Sequence, residues 1–129
     1  MRENLYHGKR KDNGEWVEGY YVPVGEYHYI LTGKLELVSY LGFEHFLVIP
    51  ETVGQYIELP DKNGKKIFEG DIVRDAETSE VGKIFFDKYT AMFVIGFENT
   101  IADFNASYNL EVIGNIYDNP ELIGEKTND

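Results

Sequence analysis

Hydrophobic and polar residues alternate along much of this chain with a period of two, which is typical of β-strands. Residues 5–10 and 15–22 form two such segments, and Asp12-Asn13-Gly14 lies between them. Asn-Gly tolerates the positive φ angles of a tight hairpin turn. The sequence therefore begins with a predicted β-hairpin.

The middle of the chain contains three further predicted strands and one ambiguous segment. Residues 27–31 and 46–49 are short and apolar, and residues 52–59 alternate again. Residues 32–47 follow no clean period, and residues 34–41 fit a strand or a short helix. Both alternatives stay open there.

Turn residues divide the second half of the chain. Asp61-Lys62-Asn63-Gly64 is a second Asn-Gly turn, and Gly70-Asp71 opens another strand. Residues 75–80 are polar and predict an exposed loop. Near the end, residues 110–117 predict a last strand. A short helical turn follows at Asn119-Pro120-Glu121, with asparagine as the cap and proline in the first position.

The clearest hairpin joins Val81–Asp87 to residues 91–97, and both of its faces are apolar. A sheet with one face in water alternates apolar and polar residues instead. Both faces are therefore expected to be covered, by another layer of the protein or by another subunit. We predict an oligomer interface here, formed by Phe85, Phe93 and Ile95.

Composition limits the class of protein. The 129 residues suit one domain, or one domain with a small lobe. No cysteine is present, which excludes disulfides and thiolate metal sites. Residues 1–10 lack an apolar signal core, and no apolar run approaches the ~20 residues that cross a bilayer. We therefore expect a soluble cytoplasmic protein that does not enter membranes.

Charge narrows the choice of partner. Lys and Arg number 12 against 23 Asp and Glu, which gives a formal net charge of −11. Nucleic acid is a polyanion and usually binds a positive face, so this balance disfavours ordinary DNA binding. It permits a basic partner, and it permits mimicry of DNA by clustered carboxylates.

Four blocks along the chain resemble a known family. The first runs from Asn13 through Gly14-Glu15-Trp16-Val17-Glu18-Gly19 to Tyr20, and the second is Pro50-Glu51-Thr52-Val53-Gly54-Gln55-Tyr56. The third extends from Asp61 to Val73 as DKNGKKIFEGDIV, and the fourth is Gly114-Asn115-Ile116-Tyr117-Asp118-Asn119-Pro120-Glu121-Leu122. In this order they resemble the YopX proteins of phages and prophages.

Two positions depart from that family. Its usual Thr-Gly-Leu is replaced by Ile57-Glu58-Leu59, and its N-terminal Phe-Arg is replaced by Tyr6-His7. Without the glycine, the backbone near Glu58 is expected to turn differently.

The resemblance implies a mainly β protein with little helix, whose C-terminal part is an SH3-type barrel. We expect an N-terminal β-hairpin lobe at 1–49 that serves oligomerisation, a barrel at 50–123 and a flexible tail at 124–129. The whole chain behaving as one domain is the alternative. The resemblance also implies a phage or prophage gene and a homo-oligomer, and it supplies no catalytic residues.

Candidate chemistry is sparse. His7, His28 and His45 are widely spaced, and a zinc site requires the fold to bring them together. Glu69 and Asp71 share a strand face and suit acid–base work or a hard cation. A turn device, with Asp71 bonding nearby amides, explains the same residues. No nucleophile elbow or phosphate-binding loop is present, so we expect no enzymatic activity and no cofactor.

Two surfaces remain as candidate binding sites. The second block suits a partner through Glu51, Thr52, Gln55 and Tyr56, or else it satisfies backbone groups. Two basic clusters beside the Asn-Gly turns suit single-stranded nucleic acid, together with tyrosines on which bases stack. The cationic candidates are Lys9, Arg10, Lys62, Lys65 and Lys66; the tyrosines are Tyr20, Tyr21, Tyr27 and Tyr29.

These observations favour an accessory protein that acts by protein–protein contact, either with itself or with a host protein. Nucleic-acid binding is the alternative, and an acidic DNA mimic is a further one.

Overall fold

The computed structural model describes residues 4–32, 44–104 and 109–124. These residues are 58% strand and 7% helix, which confirms a mainly β protein with little helix. The ambiguous segment 34–41 lies outside the described residues. The chain divides into two compact units, residues 1–56 and residues 57–129.

The first unit is an antiparallel sheet built on two hairpins. Its strands lie in the order β4-β3-β2-β1-β5. The predicted N-terminal hairpin is confirmed, since β1 pairs with β2 across a turn in which Gly14 has a φ of 75°. The strand bounds are β1 Tyr6–Lys9, β2 Trp16–Val24, β3 Tyr27–Thr32, β4 Glu44–Val48 and β5 Gly54–Pro60.

This first sheet curls until the end of β4 meets the end of β1. The Lys11 amide donates to the Leu47 carbonyl at 2.9 Å, and the Ile49 amide donates to the Lys9 carbonyl at 2.9 Å. Ile30 and Val48 are at most 1% exposed and lie on the inner face of the curl. Two strands can approach closely there because Gly8 and Gly19 carry no side chain on that face.

The second unit contains the remaining strands and a separate core. The end of β5 belongs to this unit, and β6 (Lys66–Phe68) follows it in the chain. A second sheet has the strand order β10-β9-β8-β7-β11. The predicted apolar hairpin is confirmed as β8 paired with β9. The sheet strands are β7 Asp71–Asp75, β8 Val81–Asp87, β9 Met92–Gly96, β10 Ile101–Asp103 and β11 Leu110–Asn115. The buried core consists of Ile57, Ile67, Val73, Ile84, Ile95 and Leu110.

Two short 3-10 turns complete the described structure. Pro50–Thr52 precedes β5, and Pro120–Ile123 follows β11. The second confirms the predicted proline-led turn. Its Asn119 side chain makes no capping bond, and Gly124 ends the turn with a φ of 76°.

The five-stranded sheet is open within the residues that the structure describes. Its edge strands are β10 and β11, which have no ladder between them. The closure that an SH3-type barrel implies is therefore absent from this part of the chain.

Glu58 lies in β5 with a φ of 71°, in the left-handed region that favours glycine. The resemblance implies glycine here, and glycine adopts this conformation without the cost of a Cβ. A residue with a Cβ pays roughly 1–2 kcal/mol for the left-handed conformation.

We expect Glu58→Gly to stabilise the protein by about 0.5–1 kcal/mol, because relief of this strain exceeds the entropic cost of glycine in a strand. Urea denaturation measures the change. Glu44→Gly is the matched control, since Glu44 is an exposed strand residue without a positive φ and should lose stability. Loss of stability in both variants would show that Glu58 is not strained.

Candidate functional site

The second of the four blocks, residues 50–56, begins with the first 3-10 turn. Its residues are hydrogen-bonded to β1 and the chain next to it. The Thr52 hydroxyl accepts a hydrogen bond from the Lys9 amide at 2.9 Å and donates to the Ile49 carbonyl at 2.6 Å. Gln55 pairs with Tyr6 in the ladder, and the Tyr56 amide donates to the Leu5 carbonyl at 2.8 Å. Thr52 is 5% exposed, and Gln55 and Tyr56 are half-buried.

These bonds identify the local role of the block. It satisfies backbone groups where the chain enters β5, which is one of the two alternatives that the sequence left open. Glu51 alone of the four candidate residues has an exposed side chain.

The third block is organised by the buried carboxylate of Asp61. One oxygen accepts the amides of Asn63 at 2.8 Å and Lys65 at 2.9 Å, within the Asn-Gly turn. The other oxygen accepts the amide of Val112 in β11 at 3.0 Å. A single side chain therefore shapes the turn and attaches it to a strand 51 residues away.

The same three amides determine the charge state of Asp61. Burial alone would raise its pKa, but hydrogen bonds from the amides of Val112, Lys65 and Asn63 outweigh burial and lower the pKa overall. The charge of Lys65 acts in the same direction. Asp61 is therefore held ionised as a structural group.

The Glu-Gly-Asp sequence is a turn device, as the sequence suggested. Gly70 has a φ of 95°, and one Asp71 oxygen accepts the Phe68 amide at 2.9 Å. Asp71 is 5% exposed. The predicted explanation through turn chemistry is confirmed, and it accounts for this carboxylate without catalysis.

The fourth block forms a similar network around two asparagines. The Asn115 side chain accepts the amides of Tyr117 at 3.0 Å and Asp118 at 2.8 Å. The Asn119 side chain accepts the Asn115 amide at 3.2 Å. One or more polar side chains in each of the second, third and fourth blocks thus hold backbone, namely Thr52, Asp61, Asp71, Asn115 and Asn119.

The basic clusters lie beside carboxylates. The Arg10 guanidinium contacts both oxygens of Asp12, at 3.0 and 2.7 Å, and stacks 4.4 Å from the ring centre of Phe46. The hydrogen bond between Arg10 and Asp12 raises the pKa of Arg10 and lowers the pKa of Asp12. In the other cluster, Lys62 lies 3.8 Å from Glu111.

The remaining lysine candidates occupy less distinctive positions. Lys65 is exposed in the Asn-Gly turn, Lys66 begins β6, and Lys9 ends β1 through backbone bonds to Thr52 and Ile49.

The candidate oligomer residues of the β8–β9 hairpin differ in exposure. Ile95 is fully buried, so it offers no surface to a second subunit. Phe85 and Phe93 are half-buried. The exposed apolar surface lies nearer the turn, where Phe86 is 46%, Met92 43% and Tyr89 89% exposed.

The three histidines lie in different surroundings. His7 packs against Trp16, with 4.5 Å between ring centres, and the Tyr21 hydroxyl hydrogen-bonds to Nδ1 of His28. His45 lies edge-on to Tyr29. Over residues 4–32, 44–104 and 109–124, no three His, Asp or Glu side chains are grouped as a metal site.

The outer face of the first sheet is the most distinctive surface. The register places Tyr20 beside Leu31 and His45, and it places Val22 beside Tyr29 and Leu47. Cross-strand neighbours share a face, so these six side chains point to the same side. Val24 and Tyr27 extend that face at the β2–β3 turn and are 57% and 51% exposed.

A cavity of about 310 Å³ opens on this face, with Val22, Tyr29, Leu31 and His45 among its walls. We call it the aromatic groove. The rings of Tyr29 and His45 meet edge to face, with centres 5.9 Å apart and planes at 70°. The groove thus offers aliphatic and aromatic surface together with the nitrogens of one imidazole.

Sequence reasoning grouped Tyr20, Tyr27 and Tyr29 with Tyr21, but only the first three share the outer face. The signal that could have revealed the groove is alternation in residues 20–31. Within each strand every second residue is apolar or aromatic: Tyr20, Val22 and Val24 in β2, and Tyr27, Tyr29 and Leu31 in β3. The partner strand β4 could not be paired from sequence.

A second cavity of about 760 Å³ lies in the second unit. Its walls combine polar and charged residues, such as Lys83 and Glu98, with apolar ones such as Leu122.

Comparison with protein families identifies the family of this chain. The model of the YopX protein family matches residues 6–124. The chain belongs to the YopX family. The matched range includes all four blocks.

Comparison with individual proteins adds a structural relative. No curated protein matches the sequence. The crystal structure of protein EF1440 from Enterococcus faecalis is similar, with a TM-score of 0.57 and 21% identity over 95% of this chain and 99% of that one. At this identity the likeness concerns the fold alone. Among the described residues, helices long and apolar enough to cross a bilayer are absent.

Proposed function

We propose that this YopX protein is a non-enzymatic accessory protein of a phage or prophage that acts by protein–protein contact and self-associates. The observation that supports the proposal best is the outer face of the first unit. Both faces of that sheet carry apolar side chains, yet only the inner face is deeply buried. Exposed apolar surface of this kind marks contact sites in soluble proteins.

The chemistry of the groove favours a protein partner over nucleic acid. Val22 and Leu31 are aliphatic and give a base little to stack on, whereas apolar and aromatic side chains suit them. The basic turns also favour a protein partner over nucleic acid. Their cations are already neutralised, because Arg10 lies beside Asp12 and Lys62 lies beside Glu111. A net charge of −11 adds long-range repulsion of a polyanion.

Catalysis has no comparable support. The carboxylates of Asp61 and Asp71 accept backbone amides, and the hydroxyl of Thr52 both donates to and accepts from backbone. We place the protein in the cytoplasm of the host bacterial cell, without a cofactor.

We also infer that the second unit is related to SH3-type folds. Four of its strands, β7 to β10, form a meander, and β11 returns to pair with β7 at the far side. That order is the one expected of an SH3-type sheet, although the fold alone carries no function.

The proposed role is tested by placing a charge in the groove. We expect Leu31→Lys to be monomeric at micromolar concentrations at which the unmodified protein self-associates, because a desolvated ammonium opposes apolar contact. Light scattering measures the mass, for which one chain is 14.9 kDa. Circular dichroism verifies that the variant stays folded.

Thr32→Lys is the matched control. It adds the same charge at the next residue of β3, on the opposite face beside Glu44, and should self-associate as the unmodified protein does. A 14.9 kDa mass for the unmodified protein up to 100 μM or so would reject self-association. Equal loss in both variants would reject the groove as the contact site.

A further inference from the structure

We propose that Asn63 is a site of spontaneous covalent modification, at which deamidation yields isoaspartate and releases the Asn-Gly turn from β11. The chemistry is favoured where asparagine precedes glycine, and the sequence contains two such pairs, Asn13-Gly14 and Asn63-Gly64. The two pairs differ in their hydrogen bonds and in the charges beside them. The inference concerns the second unit and does not depend on self-association.

The reaction needs only groups of the turn and water. The Gly64 amide nitrogen loses its proton and attacks Cγ of Asn63. The Cγ–Nδ2 bond breaks, and the side-chain nitrogen leaves as ammonia with that proton. Water then opens the five-membered succinimide, at Cγ to give aspartate or at the backbone carbonyl carbon to give isoaspartate. Glycine hinders the ring closure least because it has no Cβ.

The reacting groups of the second pair are accessible. Asn63 and Gly64 are both exposed, and the space that a Gly64 Cβ would occupy is open. The Asn63 side chain makes no hydrogen bond to another residue that the structure describes. Ring closure requires the Gly64 amide to leave the Asp61 carbonyl, to which it donates at 3.0 Å. Exposed turns open in this way at low cost.

The first pair is held more firmly. The Gly14 amide donates to the Arg10 carbonyl at 3.0 Å, as its counterpart does in the second turn. In addition, the Asn13 side-chain oxygen accepts the Glu15 amide at 2.9 Å. Asn13 must therefore break a bond of its own before its Cγ can be attacked. The net effect of one hydrogen bond corresponds to a factor of about five in an equilibrium constant.

Local charge favours the same pair. The attacking nitrogen is an anion, which nearby cations stabilise and nearby carboxylates destabilise. In Asp12-Asn13-Gly14-Glu15 both neighbours are acidic, whereas in Lys62-Asn63-Gly64-Lys65 both are basic. Asp12 and Lys62 are each paired with an opposite charge, so Glu15 and Lys65 make most of the difference.

Isoaspartate at residue 63 would disturb the contact with β11. One Asp61 oxygen accepts the amides of Asn63 and Lys65, and the other accepts the Val112 amide. Isoaspartate lengthens the main chain before Gly64, which displaces the Lys65 amide from Asp61. It also places a new carboxylate beside one that is already ionised. The Asp61 side chain then loses its fixed position, and its bond to Val112 weakens.

The test follows deamidation at both pairs in one sample. The unmodified protein is incubated in mildly alkaline buffer, digested and analysed by mass spectrometry, with chromatography to separate isoaspartyl from aspartyl peptides. We expect Asn63 to be converted about fivefold faster than Asn13, or more. Asn63→Gln is the matched control, because glutamine closes the corresponding six-membered ring much more slowly. Conversion at Asn13 as fast as at Asn63, or none at Asn63, would overturn the assignment of the site.

Hydrogen exchange of the Val112 amide tests the release of the turn. Exchange should be about fivefold faster in the converted protein than in the fresh protein, and unchanged in incubated Asn63→Gln. Freshly prepared Asn63→Asp adds the charge without lengthening the chain and should exchange as the unmodified protein does. Unchanged exchange after conversion would overturn the release, and equally fast exchange in Asn63→Asp would overturn chain lengthening as its cause.

Discussion

Replacing Gly19 with alanine is expected to destabilise the first unit by more than about 3 kcal/mol, the upper range for overpacking. A Cβ at this position would lie 2.0 Å from the Leu31 carbonyl oxygen and 2.8 Å from its carbon. The obstacle is the backbone of a paired strand, so no rotamer change relieves it. β2 and β3 must separate, and Ile30 loses its enclosure.

Fluorescence of Trp16 during urea denaturation measures this loss, because Trp16 is the single tryptophan and lies in the first unit. Gly8→Ala is the graded control. Its Cβ would lie 3.1–3.2 Å from the side chain of Val48, an approach that a shift of a few tenths of an ångström relieves at lower cost. Equal stabilities of the two variants would show that the curl of the sheet tolerates a side chain at Gly19.

Replacing Asp61 with alanine is expected to cost about 2–4 kcal/mol, since three amides lose an ionised acceptor and one of them belongs to β11. Asp61→Asn should cost about half as much. One amide oxygen can still accept the Asn63 and Lys65 amides, but the NH₂ group then faces the Val112 amide as a second donor. Thermal denaturation of both variants gives the comparison.

The same carboxylate predicts an acid dependence. Its pKa is lower in the folded protein than in the unfolded chain, so folding favours the ionised form. The stabilisation is complete above the unfolded pKa and disappears as the pH falls through the folded pKa. Stability of the unmodified protein should therefore decline more steeply below about pH 4 than that of Asp61→Asn. Parallel acid profiles would show that Asp61 contributes no ionised hydrogen bonds.

Turn chemistry was readable from the sequence because it depends on one or two adjacent residues. The Asn13-Gly14 turn and the Gly70-Asp71 strand entry follow from a glycine that accepts positive φ and an acceptor side chain nearby. The β8–β9 hairpin was equally accessible, since its apolar character is continuous along both strands.

Long-range contacts were not accessible in this way. The bond from Asp61 to Val112 joins residues 51 apart, and the sequence alone predicts only the local turn. The close approach at Gly19 depends on the register between β2 and β3. The burial of Ile95 and the exposure of Phe86, both on one face of the hairpin, depend on where the core ends.

The candidate site likewise combines a local pattern, which the sequence shows, with a long-range contact, which it does not. Residues 20–31 contain apolar side chains at alternate positions, but the groove also needs His45 from a third strand, beyond the ambiguous segment. Pairing across that segment is a property of the folded sheet. The sequence therefore predicted the blocks and the turns within them, but it did not reveal the groove on the outer face of the first sheet.

The central claim is that side chains of the second, third and fourth blocks hold the fold while the outer face of the first sheet makes the contact between copies. Hydrogen exchange followed by mass spectrometry, at about 1 and 100 μM protein, tests it most directly. We predict slower exchange at the higher concentration in residues 20–31 and 45–47, and unchanged exchange in residues 61–72 and 112–119. Exchange that is independent of concentration everywhere, or slowed only in the signature blocks, would contradict the account.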